Sequence, residues 1–198
     1  MRIPEFLGLA LSWFVITLCF SIRTLFYPFS PELFAYVFLF SGTSAGLGFL
    51  LHELAHRSAA RRYGCYAYYN VWLLGIILAL IMAVITRGSV IFAALGAVYI
   101  VPMMTAPSLD IGAMKKAYGI ISLSGPSMNL LLAAFFYALS FLGGIFAPLG
   151  AYGIRINLWL AAFNLIPIPP FDGYKVFSWS KVAWALFAVP SWALVLIL

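Results

Sequence analysis

The chain reads as a succession of long apolar runs separated by short polar or basic breaks. Phe6 to Ile22 is the first run. It is too long for the hydrophobic part of a secretory signal and has no small-residue cleavage pattern before Arg23, so a retained membrane span is predicted. A second helix has a marked start: Ser30 can cap it, Pro31 suits the first helical position, and Glu32 sits at the positive end of the dipole. It is predicted to run from Leu33 past His56 into Arg57, Arg61 and Arg62. Its middle, Ser41 to Gly48, is rich in small residues and suits close packing of another helix or of a bound peptide.

Val71 to Thr86 and Ser89 to Met103 are two further apolar stretches around Arg87-Gly88, each able to cross the bilayer or dip into it. Pro126 to Ala147 is predicted as a span opened by Ser124-Gly125-Pro126. Ala151 to Ile166 is another, broken by Pro167-Ile168-Pro169-Pro170, and Val182 to Leu198 is the last. Gly96 to Val101 and Tyr118 to Leu123 are short, β-branched and beside turn formers, and are predicted to pair as a small hairpin at the membrane edge. The pattern therefore predicts an all-α polytopic membrane protein of about six transmembrane helices, in one domain over residues 1–198.

Composition strengthens this picture. The 198 residues are 65% hydrophobic and 8% charged, with a mean hydropathy of +1.08, where a soluble domain is about a quarter charged. The net charge of +6 comes from basic residues lying singly or in small groups between apolar runs. That spacing belongs to membrane-flanking loops and not to a nucleic-acid surface. Cys19 and Cys65 have no partner spacing for a metal or a disulfide and read as ordinary thiols.

The chemistry concentrates in one place. The chain has two histidines, four residues apart, in His52-Glu53-Leu54-Ala55-His56. About one helical turn separates them, so both imidazoles project from one face and can share a metal ion, with Glu53 able to reach a water on that metal. This is the pattern of zinc hydrolases: two nitrogen ligands, a third ligand from elsewhere, an open position and a carboxylate base. The bland alternative is a histidine pair at a helix end with Glu53 ion-paired to Arg57 one turn on. Asp and Glu total five. With Glu5 and Glu32 in boundary segments and Glu53 as base, Asp110 and Asp172 remain as the third ligand. Asp172 is the better placed, because the proline-rich break before it can turn its carboxylate back toward the helix, while Asp110 sits in an exposed loop. Counted from Leu33 at about 1.5 Å per residue, His52 lies near the far side of a roughly 30 Å hydrocarbon core.

Three segments now resemble a known family. His52-Glu53-Leu54-Ala55-His56, Gly125-Pro126-Ser127-Met128-Asn129 and Phe163-Asn164-Leu165-Ile166-Pro167-Ile168-Pro169-Pro170-Phe171-Asp172-Gly173 are similar to the three signatures of the site-2 protease family of intramembrane zinc metalloproteases. The resemblance implies a six-span fold that cleaves transmembrane helices of other proteins, with a catalytic core over about residues 33–177. It also implies one zinc ion per chain held by His52, His56 and Asp172, and Glu53 as the catalytic glutamate. Asn129 is carried over as a candidate for peptide or oxyanion contact and Asn164 as a supporting residue. Phe171 stands where leucine is usual and Tyr174 where a small residue is common, and no PDZ or CBS module accompanies the core.

Topology adds a condition. For Asp172 to meet both histidines, Val71 to Met103 must cross the membrane twice or not at all. With the amino terminus in the cytoplasm, eight of the 11 basic residues fall on the cytoplasmic side, and the active site lies within the bilayer near that face. The implied partners are transmembrane protein substrates and the lipid bilayer. Two other functions are compatible with the same residues: an inactive relative that binds membrane helices, and a divalent-metal transporter.

Overall fold

The computed structural model describes residues 3–26, 28–102 and 111–198. Helix α1 covers Glu5–Ser21 and closes in a 3-10 turn, Ile22–Leu25. The second helix begins as its capping residues dictate, with Pro31 in the first turn and the Leu33 N–H donating to Ser30 Oγ at 3.1 Å. It continues without a break as α2 (Pro31–Ser41), a π turn (Gly42–Gly46) and α3 (Leu47–Arg62). A π turn inserts extra backbone into the helical ladder and so changes which face the following residues present. Small residues allow it here because α1 lies directly against them: Trp13 Nε1 donates to Gly42 O at 3.2 Å, and a Cβ at Gly46 would fall on the Trp13 indole.

After α3 the chain enters strand β1 (Cys65–Val71), helix α4 (Leu73–Ile85) and strand β2 (Gly96–Pro102). The strands pair antiparallel, with Val71 opposite Gly96 and Cys65 opposite Pro102. The intervening segment therefore leaves and returns to one point of the structure. At 13 residues, about 20 Å, α4 is shorter than a roughly 30 Å core. The predicted hairpin partner is corrected: Tyr118 to Leu123 is helical, and β2 pairs instead with the tyrosine-rich Cys65–Val71.

Helix α5 spans Ile111–Ser140, so Ser124-Gly125-Pro126 does not open a span but lies in the interior of a 30-residue helix. Helix α6 (Phe146–Asn164) packs along it, and the proline-rich break leads to the short α7 (Asp172–Trp179) and to α8 (Lys181–Ile197). A core that includes Ile16, Phe49, Ile76, Leu95 and Leu160 joins α1, α3, α4 and α6. Three helices among the described residues are long and apolar enough to cross a membrane: Glu5–Leu25, Pro31–Arg62 and Gly112–Ser140. Helices α4 and α8 are apolar but shorter, and α6 carries Arg155, so length and composition support three of the about six predicted spans among the described residues.

One polar clamp ties the amino-terminal helix to the rest. Glu5 Oε1 accepts from Arg57 Nη1 at 2.9 Å and from the Tyr69 backbone N–H at 3.1 Å, joining α1, α3 and β1. Glu5→Ala leaves both donors without this acceptor and is expected to cost about 1–2 kcal/mol. Thermal unfolding of the detergent-solubilised protein should show a lower midpoint than wild type; an unchanged midpoint contradicts the clamp.

Candidate metal centre

The four-residue spacing on α3 brings His52 and His56 together with Nε2 atoms 3.0 Å apart, both side chains buried. Their other nitrogens are engaged. His56 Nδ1 lies 2.7 Å from Ile121 O, and His52 Nδ1 lies 2.6 Å from Asn129 Oδ1. A carbonyl oxygen only accepts, so His56 Nδ1 carries the hydrogen and its Nε2 presents a lone pair. The Ile121 carbonyl lies on the interior of α5, one turn before Gly125-Pro126, and also accepts from Ser124 Oγ at 2.6 Å.

Asp172 completes the group from the opposite side. Its Oδ2 lies 2.9 Å from His56 Nε2 and 3.3 Å from His52 Nε2. Its position follows from the break between α6 and α7. Gly173 sits against the Leu165 and Ile166 backbone, where a Cβ would collide. Two tryptophans of α8 brace that helix end: Trp184 Nε1 donates to Leu165 O at 2.8 Å and Trp192 Nε1 to Ala162 O at 2.9 Å. Phe171, the departure from leucine, packs on Phe163 with ring centroids 4.7 Å apart.

The donor set suits zinc: two imidazole nitrogens and one carboxylate oxygen, their ligand atoms all within 4.8 Å of one another. A tetrahedral zinc with bonds of about 2.0–2.1 Å separates its ligand atoms by about 3.3–3.4 Å, within a few tenths of an ångström of the spacings here. Gly125 supplies the cradle. A Cβ at that position would strike His56 Nε2 and lie 2.6 Å from His52 Nε2, so only glycine leaves the space in front of both lone pairs open.

Glu53 is also buried, and its Oε2 has no hydrogen-bond partner. The alternative pairing of Glu53 with Arg57 does not form, because Arg57 is taken by Glu5. Glu53 faces a cavity of about 300 Å3 that His52, His56, Asp172, Lys175 and residues 96–99 of β2 also line. Asn164 lines it too and donates to Leu160 O at 2.9 Å. Asn129 also borders the cavity, with its amide N–H groups going to Gly48 O at 3.2 Å and Asn157 Oδ1 at 3.1 Å. The alternative ligand Asp110 lies outside the described residues.

Asn157 escaped the sequence reading, since it belongs to none of the three segments. The available signal was a lone amide in the middle of an apolar run, which needs a buried partner.

A protein of Methanocaldococcus jannaschii named "Putative zinc metalloprotease MJ0611" is 37% identical to this chain over 180 residues, covering 89% of each. A Bacillus subtilis protein named "Putative zinc metalloprotease YwhC" is 36% identical over 69 residues, 29% of this chain and 32% of its own. No family profile matches the chain, and no solved structure matches it. The chain belongs to the zinc metalloprotease family of the first relative.

Gly125→Ala places a methyl group against the Nε2 atoms of both histidines. Metal analysis of the purified protein should find about one zinc per chain in wild type and close to none in this variant. Full zinc occupancy in Gly125→Ala contradicts the placement of the site.

Proposed function

We propose that the chain is an intramembrane zinc metalloprotease of the site-2 protease type, which hydrolyses peptide bonds within transmembrane segments of other membrane proteins. The observation that carries this reading is the unpartnered Glu53 carboxylate oxygen in a cavity shared with His52, His56 and Asp172. A buried carboxylate without a partner is costly, and a proton-transfer role gives it one during turnover. His52, His56 and Asp172 hold the metal and Glu53 is the base. Bound zinc supplies Lewis acidity, which acidifies water and polarises a peptide carbonyl. Glu53 accepts the proton of the attacking water and returns it to the departing amine.

A helical substrate hides its carbonyls in its own hydrogen bonds, so the stretch to be cut must be extended. Strand β2 offers a surface for that stretch. It pairs with β1 on one edge only among the described residues, and Gly96 to Tyr99 line the cavity. Backbone pairing along the other edge would hold an extended segment beside Glu53. Asn164, also on the wall, supports the same stretch. The membrane reading rests on the three long apolar helices. Pro31–Arg62, 32 residues or about 48 Å, exceeds a roughly 30 Å core, and this length supports a reading with its basic end at a membrane face and the metal residues just inside it. A cytoplasmic amino terminus assigns that face to the cytoplasm by the positive-inside bias.

Glu53→Gln keeps the shape of the side chain and removes the base. With a transmembrane-helix substrate in liposomes, zinc content should stay near one per chain while cleavage falls by at least about 10²-fold. Cleavage at the wild-type rate rules out Glu53 as the base, and a wild type that retains the substrate without cutting it favours the binding-protein alternative.

A further inference from the structure

The buried amides beyond the histidines form a chain with only one possible direction. Asn157, on α6, has no exposed surface; its Nδ2 donates to Gly153 O at 3.0 Å and lies 3.5 Å from Ser44 O in the π turn. Both are backbone carbonyls and only accept, so the amide nitrogen of Asn157 must face them and its Oδ1 must face Asn129. Asn129 in turn points Nδ2 at Asn157 Oδ1 and at Gly48 O, which leaves Oδ1 toward His52. An oxygen at that place requires a hydrogen on His52 Nδ1 and leaves Nε2 bare. Gly48 makes room for the chain, since a Cβ there would come 2.5 Å from Asn157 Oδ1.

We propose that Asn157 is a positioning residue for the metal centre: it orients the Asn129 amide so that His52 is held as the Nδ1–H tautomer with its Nε2 lone pair on the metal. The proposal rests on the metal-centre reading above and extends it to a residue on a third helix, touching neither metal nor substrate. His56 needs no such relay, because Ile121 O fixes it directly. The two histidines therefore depend on different supports, and a change at position 157 should be felt by one ring and not the other.

The test uses the full-length protein in detergent, with two variants. Asn157→Leu removes the acceptor that holds Asn129 Nδ2. Asn157→Asp retains a carboxyl oxygen there and, when protonated, still donates to a carbonyl. Zinc affinity is read by chelator competition, and histidine tautomers by long-range ¹⁵N–¹H NMR of the zinc-stripped protein at about pH 8.5, where unperturbed imidazoles are neutral. With two histidines in the chain, His56→Ala assigns the spectrum. Wild type should show both rings as Nδ1–H. Asn157→Leu should shift the His52 signals toward a tautomer mixture, leave those of His56 in place and weaken zinc binding about tenfold. Asn157→Asp should restore both readouts to near wild type. Unchanged His52 signals and affinity in Asn157→Leu overturn the proposal. So does an equal loss in both variants, or a parallel change at His56, either of which marks a packing role. Because neither readout involves cleavage, a wild type that fails to cut substrate would sink the protease reading and leave this result standing.

Discussion

Three electron-rich atoms crowd one small volume inside an apolar chain: the Nε2 atoms of His52 and His56, 3.0 Å apart, and Asp172 Oδ2 within 3.3 Å of both. The hydrogens that could separate them are committed to Nδ1, one facing Ile121 O and the other Asn129 Oδ1. Lone pairs aimed at one another repel, and burial removes the water that would screen them. A shared cation resolves the conflict, and the donor types are compatible with zinc, the metal in the names of the relatives.

Much of the architecture serves that convergence. The π turn sets the face that α3 presents, and Trp13 closes over the small residues that form it. The Ile121 carbonyl of α5 fixes the His56 ring, and Gly125 keeps the space before the imidazoles clear. The proline-rich break after α6 turns the chain so that Asp172 opens α7 toward α3, with the α8 tryptophans capping the loosened helix end. Elements far apart in sequence thus each remove one obstacle to a single coordination geometry.

What the sequence reveals depends on how local the cause is. The helix carrying His52 and His56 is legible because Ser30, Pro31 and the four-residue spacing act within a few residues of one another. Asp172 is legible by elimination, since acidic residues are so few, and the structure sets it beside both histidines. The partner of β2 was not. Tyr118 to Leu123 has the β-branched content of a strand but is part of a 30-residue helix, because tertiary packing outweighs weak local preference. Pro126 misleads in the same way: proline usually opens a helix, and here it lies in the interior of one. The Asn129–Asn157 bond joins α5 to α6, and no pattern along either helix announces it.

The central claim is that one zinc ion sits between these three side chains, and X-ray absorption at the zinc edge of the purified protein measures that environment directly. The account predicts about four nitrogen or oxygen scatterers near 2.0 Å, with the outer-shell signature of two imidazoles. A sulfur scatterer near 2.3 Å, or a first shell without imidazole, would contradict it.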